Sequence, residues 1–364
     1  MIKQKIRTII KSIILRFLEI VYNTASIFKK KKVFSLESID KVVLLHTKPL
    51  GLGDLVLLSP FYLLVIKNIQ KPIFIVSDYP QFLEFYNTKW LKPDEVNDEF
   101  FKNSLVISPT LTLPHLKYIF KSKFYLGYFI LNRLISNFSK KYYKYDAVNE
   151  HYLDKTFPIL DELKISYDRN ELKYPKVFDN SSLELPDQYV VFAPYANWKE
   201  KQYSKNNYLD IINKIYKINS CVNIILIGSN NPEEIAFNKS IEDKLILKRC
   251  LNLTGKTSIM DINKIIKNSI LFVGNDSGPA NIAYISAPKT IVVFGAVNVD
   301  SIIPKNHQIK SNITVLNNSC SCGFYPCYDG YNKPYCKNFE KYSCLDVAIA
   351  DDILKNILDF SCVE

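Results

Sequence analysis

Three short stretches hold residues that could do chemistry. Gly51-Leu-Gly-Asp54 places a single carboxylate beside two glycines where a helix begins. Such a carboxylate could take a proton from a hydroxyl as a general base, or it could simply cap the helix. The run is neither the dinucleotide fingerprint, which needs a third glycine, nor a P-loop, which needs a following Gly-Lys-Ser/Thr. Lys201 follows the apolar run Tyr189 to Ala193 in a segment that also carries Trp198. A lysine beyond a strand end could neutralise a departing diphosphate, whereas Lys199 and Lys205 read better as solvated surface charge. The third stretch, Asn275-Asp276-Ser277-Gly278-Pro279-Ala280-Asn281, follows the apolar run Ile270 to Val273. Strand, tight polar turn and helix start form a place where backbone N–H groups can hold an anion. Asp276 or Ser277 can cap that helix, Gly278 allows close backbone approach, and Pro279 suits the first turn. A purely structural turn is the alternative.

The elements that must position these residues alternate between strand and helix, which implies doubly wound parallel sheets. In the first half, Lys41 to His46 is a strand, Leu55 to Ile66 a helix, Ile73 to Val76 a second strand and Ser104 to Ile107 a third. Residues 167 to 186 are polar, hold Pro175 and Pro186, and read as a linker. In the second half, strands are expected at Tyr189 to Ala193, Val222 to Ile227 and Thr290 to Phe294. Helices are expected at Asn207 to Ile218, after Gly228-Ser-Asn-Asn-Pro232 with Glu233 and Glu234 in its first turn, and from a capped start at Ser258 to Lys267. Ligands of open α/β sheets bind beyond the carboxyl ends of the strands. That rule selects Gly51 to Asp54, Pro194 to Lys201, Gly228 to Glu234, Asp276 to Asn281 and Gly295 to Asn298.

A chain of 364 residues suits two α/β domains better than one core. Its net charge of +11 points to an anionic partner, either anionic lipid or a phosphorylated substrate. No arginine-rich run or nucleic-acid module accompanies that charge, so no nucleic-acid partner is expected. Residues 1 to 32 place Ile6, Ile9, Ile10, Ile13, Phe17 and Val21 at helical spacing among basic residues and close in Lys29 to Lys32. Such a basic amphipathic helix can lie on an anionic membrane surface or pack on its own domain. The stretch Leu116 to Tyr145 mixes lysines with Tyr118, Phe120, Phe124, Tyr128 and Tyr143, which suits an interfacial or glycolipid surface or an amphipathic surface helix with core aromatics. No apolar segment is long enough to span a bilayer, and nothing reads as a signal peptide, so a cytoplasmic location is expected. Cys221 and Cys250 are read as buried. The cluster Cys320, Cys322, Cys327, Cys336 and Cys344 reads as thiols ahead of a metal site, and His46, His115, His151 and His307 show no ligand spacing.

Three blocks carry a resemblance. Val42 to Pro60 (VVLLHTKPLGLGDLVLLSP), Phe192 to Tyr208 (FAPYANWKEKQYSKNNY) and Leu251 to Gly295, with its Leu-Thr-Gly-Lys-Thr-Ser and Asn-Asp-Ser-Gly-Pro runs, resemble glycosyltransferase family 9, the ADP-heptose:lipopolysaccharide heptosyltransferase family. The cysteine-rich tail looks similar as well. The resemblance implies a GT-B fold: two Rossmann-like domains facing across a nucleotide-sugar cleft, preceded here by the basic amphipathic helix. Implied boundaries are 1–35 for that helix, 36–180 for the acceptor domain, 181–345 for the donor domain and 346–364 for a C-terminal helix returning towards the first domain. It further implies an inverting, metal-independent transfer of heptose or a related sugar from a nucleotide diphosphate donor, an ADP-sugar first, to a lipid-linked glycan of lipopolysaccharide type. No resident cofactor is implied, and a monomer peripheral to the inner face of the bacterial cytoplasmic membrane is expected. Asp54 matches the family's base and Lys201 the lysine on the diphosphate. Asp276, Ser277, Gly278, Pro279 and Asn281 match the phosphate motif, Glu233 or Glu234 with Gly228 the ribose contact, and Gly51 and Gly53 the acceptor side. Two residues depart from the pattern: Asn281 stands where the family has His, and Tyr195 where it has Gly. A GT-B nucleotide-sugar epimerase and a non-catalytic sugar-nucleotide or lipid-binding protein are the alternatives.

Overall fold

The computed structural model describes residues 32–48, 50–110, 115–129, 133–138, 143–178, 180–245, 249–317, 323–328, 334–337, 342–351 and 354. The expected N-terminal helix, most of the C-terminal one, and Cys320, Cys322 and Cys362 lie outside these residues. The first sheet holds β1 (Lys41–His46), β2 (Ile73–Ser77), β3 (Thr88–Leu91), β4 (Ser104–Ser108), β5 (Phe124–Phe129) and β6 (Arg133–Ser136). Their order is β3-β2-β1-β4-β5-β6, parallel except for β6 against β5. Helices α1 (Leu52–Asn68), α2 (Leu116–Lys121) and α3 (Phe157–Glu162) accompany it. The second sheet holds β7 (Tyr189–Ala193), β8 (Asn223–Leu226), β9 (Cys250–Asn252), β10 (Leu271–Asn275), β11 (Thr290–Val293) and β12 (Ile313–Leu316). It is parallel throughout, in the order β12-β11-β10-β7-β8-β9. Its helices are α4 (Lys205–Ile218), α5 (Pro232–Glu242), α6 (Ile259–Lys267), α7 (Gly278–Ser286) and α8 (His307–Lys310). In both sheets the strand order reverses beside the first strand, between β1 and β4 and between β7 and β10. Such a reversal opens a ligand crevice at the strands' carboxyl ends.

The central strands are continuous apolar runs because parallel strands are covered on both faces. Every residue of β4, β7, β10 and β11 is buried. Helix α1 is also buried for most of its length and tolerates Pro60 inside it. Proline cannot donate to Val56, four residues back, and the Ser59 hydroxyl takes over that carbonyl at 2.7 Å. The capped start of α6 forms as expected, with Ser258 accepting from Asp261 N–H and Asp261 accepting from Ser258 N–H.

The differences from expectation have physical reasons. The edge strands β3 and β12 are only four residues long and mostly half-exposed, so neither stands out as a buried run. The Leu116 to Tyr145 stretch is not a surface helix: beyond the short α2 it forms β5 and β6, with Tyr118, Phe124 and Tyr128 buried, while Phe120 is 68% exposed. The linker pairs with the first domain, Glu84 N–H donating to Lys176 and Phe178 N–H to Phe82. Cys221 and Cys250 are half-buried rather than buried, and Cys221 is disulfide-bonded. Beyond Leu345, Lys214 on α4 bonds the Ile349 carbonyl and pairs with Asp351 at 3.0 Å, which sets these two residues against α4. No described helix is long and apolar enough to cross a membrane.

Candidate active site

Helices α1 and α7 bring their N-termini together where the two sheets meet. A side chain on Gly53 would place its Cβ 2.3 Å from Asn281 Nδ2 and 3.2 Å from Gly278 Cα, so only glycine permits this approach. Each helix contributes roughly half a positive charge and unpaired N–H groups there. Asp54 accepts from Gly51 N–H at 2.6 Å, closing the first turn of α1. Burial, with the nearby Asp54 carboxylate, holds the Tyr152 hydroxyl protonated. Capping and cleft-edge placement are therefore both properties of Asp54.

Around Asp54 the polar groups are fixed. His46 is fully buried, donates from Nε2 to the Gly51 carbonyl at 3.0 Å and accepts on Nδ1 from the Tyr62 hydroxyl at 3.0 Å. Burial, the largest cause, lowers its pKa to about 4. Burial likewise lowers His115, which meets the Thr47 hydroxyl, and His151 to about 4. The unfolded chain protonates these rings near 6.5, so it binds more protons than the folded protein between those two values. Their contribution to stability is complete above pH 6.5 and is lost as pH falls to 4. Tm should fall steadily from pH 7 to about 4.5 and fall less in His151→Gln; a Tm independent of pH over that window would refute this.

On the second sheet, Lys201 ends a tight turn, Lys199–Lys201, that lies under the end of β11. Ala296 N–H donates to the Glu200 carbonyl at 3.0 Å. Any side chain on Gly295 would meet that same carbonyl at 2.0 Å. So placed, Lys201 Nζ lies 2.5 Å from Asp276 Oδ2, with side-chain exposures of 18% and 5%. Asn275 holds the turn from behind, accepting from Tyr203 N–H at 2.9 Å and donating to the Pro194 carbonyl at 2.8 Å. Sequence reasoning gave Asn275 no role of its own, although a polar residue closing a buried strand was the available signal. Neither side chain caps α7 as expected: Ser277 is the N-cap residue but makes no side-chain cap bond, and Asp276 turns to Lys201. The reason is that the carboxylate gains more from the adjacent ammonium than from a neutral N–H. Ser277 Oγ and Asn281 Oδ1 are buried without a hydrogen-bond partner among the described residues, so this helix start offers free polar groups to a ligand.

At the outer edge of the second sheet, the two glutamates at the start of α5 separate. Glu234 turns inward to the Ser229 hydroxyl at 2.5 Å, and a Cβ on Gly228 would meet it at 2.5 Å. Burial raises its pKa. Glu233 stays exposed and accepts from the Tyr195 hydroxyl at 2.8 Å. The Tyr195 ring stands edge-on to Phe237 at 5.8 Å. The sheets are joined on the other flank by Tyr152 N–H to the Ser301 carbonyl at 2.7 Å, His151 Nε2 to the Ile303 carbonyl at 3.0 Å, and Lys305 to Asp154 at 3.1 Å. Cys327, Cys336 and Cys344 gather with Phe324 and Tyr342 around a void of about 10 Å³. No described group of three or more His, Cys, Asp or Glu is arranged to hold a metal ion.

Two facing parallel-sheet domains with helix N-termini converging between them define the GT-B class. The chain belongs to glycosyltransferase family 9 (heptosyltransferase), whose model matches residues 116–325, more than half of its length. Lipopolysaccharide heptosyltransferase 3 of Escherichia coli is 26% identical over 117 residues, 32% of this chain. That match spans only a third of the relative's own length, 33%. Among solved structures, a family 9 glycosyl transferase from Veillonella parvula superposes with a TM-score of 0.66 at 16% identity, covering 91% of this chain and 98% of that one. The ADP-heptose lipopolysaccharide heptosyltransferase II of E. coli does so with a TM-score of 0.60 at 14% identity, covering 88% and 97%. At these identities both show a shared fold.

Proposed function

We propose that this protein transfers heptose or a closely related sugar from an ADP-type donor to a lipid-linked glycan, with inversion at the anomeric carbon. The reading is carried by one observation: the N-terminus of α7, beside the Lys201–Asp276 pair, faces the N-terminus of α1 with Asp54 in its first turn. Family membership and the ADP-heptose donor of the E. coli structural relative support the choice of sugar nucleotide. In this reading residues 36–180 hold the acceptor, with Gly51 and Gly53 at the contact, and residues 181–345 hold the donor. The diphosphate lies on Ser277, Gly278 and Pro279 at the start of α7, within reach of Lys201 and Asn281, and Asp276 keeps the Lys201 ammonium in place. Glu233, the exposed glutamate of the pair, takes the ribose hydroxyls, while Glu234 braces Gly228.

The step balances without a resident cofactor. Asp54 takes the acceptor hydroxyl proton as its oxygen attacks the anomeric carbon. The bond from that carbon to the diphosphate breaks, and its electron pair leaves on the diphosphate oxygen. The new charge is met by Lys201 and by N–H groups already oriented, which is where electrostatic stabilisation is strongest. The reading places the protein as a monomer at the cytoplasmic membrane face, where a net charge of +11 favours an anionic lipid surface.

A thermal-shift screen against nucleotide diphosphate sugars tests the donor assignment, because a ligand at about 100 times its Kd adds about 2.7 kcal/mol. ADP-heptose should raise Tm more than UDP- or GDP-sugars, and EDTA should leave the shift unchanged. No shift with any sugar nucleotide would overturn the reading.

A further inference from the structure

The glutamate assigned to the ribose has a neighbour that no step above uses. Tyr195 follows β7, and Asn275 donates to the Pro194 carbonyl just before it at 2.8 Å. The Tyr195 ring stands edge-on to Phe237 of α5 at 5.8 Å and packs on the second domain's core. Its hydroxyl donates to Oε2 of Glu233 at 2.8 Å. Glu233 and Phe237 are four residues apart on α5 and so share one face of it, and the one tyrosine spans both. From the other side, Asn231 accepts from Glu233 N–H at 2.9 Å and fixes the backbone there. Glu233 is exposed, and a solvated glutamate otherwise samples several rotamers. The bond to Tyr195 selects one of them.

We propose that Tyr195 is a positioning residue that selects ribonucleotides: it holds the Glu233 carboxylate ready for the 2′- and 3′-hydroxyls of the donor's ribose. This rests on the reading of Glu233 as the ribose contact. A carboxylate has about four acceptor sites on its two oxygens, so the bond to Tyr195 occupies one and leaves the others to the diol. Binding normally costs the freedom of each side chain it immobilises. Tyr195 removes that freedom before the nucleotide arrives. The ribose hydroxyls then donate to a charge already in place, and hydrogen bonds to a charged acceptor are the stronger kind. A nucleotide lacking the diol gains nothing from this arrangement. Asn275 ties it to the phosphate turn, because it immediately precedes Asp276 and also holds the backbone in front of Tyr195. The diphosphate and ribose contacts therefore keep a fixed separation along the nucleotide.

The test is titration calorimetry of the full chain with ADP and with 2′,3′-dideoxy-ADP, beside the steady-state kinetics of the donor. Tyr195→Phe, which removes one oxygen and keeps the ring on Phe237, should weaken ADP about threefold to tenfold, the range for immobilising one flexible side chain on binding. Dideoxy-ADP should bind as before, so the preference for the ribonucleotide narrows by that factor. In the kinetics the loss should appear in KM rather than kcat. Made in a Glu233→Ala background, the same substitution should cost nothing further, because the two side chains act as one unit. Unchanged ADP affinity in Tyr195→Phe, or an equal loss for both nucleotides, would overturn the inference. Glu233→Ala separates the two levels. ADP bound there as in wild type sinks the ribose contact itself, and the positioning role with it. Weakened ADP there, beside an unaltered Tyr195→Phe, sinks only the positioning role.

Discussion

Asp54→Asn is expected to lower kcat by about 10²–10⁴-fold, the range for loss of a positioned proton acceptor. Donor affinity should not change, because Asp54 belongs to the first-sheet side of the cleft and the donor is assigned to the second. The substitution removes a negative charge next to a helix N-terminus, while the amide oxygen can still accept from Gly51 N–H. It should therefore also lower stability by about 0.3–1 kcal/mol, too little to unfold the protein. A variant that binds ADP normally, melts within a few degrees of wild type and turns over near the wild-type rate would remove Asp54 from the base role.

Lys201→Ala should act on the other half of the reaction. Loss of one preorganised donor to a developing charge costs about 10²–10³-fold in kcat, and here nucleotide affinity should fall too. The same substitution leaves Asp276 5% exposed with no ammonium beside it, and an uncompensated buried charge is destabilising by about 3–5 kcal/mol. Lys201→Ala combined with Asp276→Asn should recover much of the lost stability without recovering turnover. That split distinguishes a lysine acting on substrate from one that merely balances Asp276. Unchanged ADP affinity in the single variant would contradict the assignment.

The residues legible in the sequence were those at strand ends. Asp54, Lys201 and Asp276 to Asn281 each follow a buried parallel strand, and the doubly wound pattern alone says that such positions converge. What remained hidden came from long-range placement. Tyr152 and Lys155 lie just before α3, Lys155 in the short 3-10 turn Asp154–Thr156, where a lysine carries no sign of whether it is solvated or buried. Their proximity to Asp54 depends on how the first sheet's last connection returns beneath the second sheet, shown by Tyr152 N–H on Ser301. The Lys- and aromatic-rich stretch was ambiguous for a related reason: β5 buries the rings of Phe124 and Tyr128 in the core, and composition alone cannot separate a buried ring from an interfacial one. The two glutamates of α5 could not be ranked from sequence, yet Ser229 claims Glu234 and leaves Glu233 facing outward with Tyr195. Tyr195 itself, standing where the family has glycine, is thereby a partner of the proposed ribose contact.

The central claim is an acceptor-dependent transfer across the junction of α1 and α7. Release of ADP from ADP-heptose, followed with and without a lipid-linked heptose acceptor, tests it most directly. The account predicts ADP release that requires the acceptor, is abolished by Asp54→Asn and yields one inverted glycosidic linkage. Donor consumed at the same rate without acceptor, or an altered sugar nucleotide recovered in place of ADP, would contradict it.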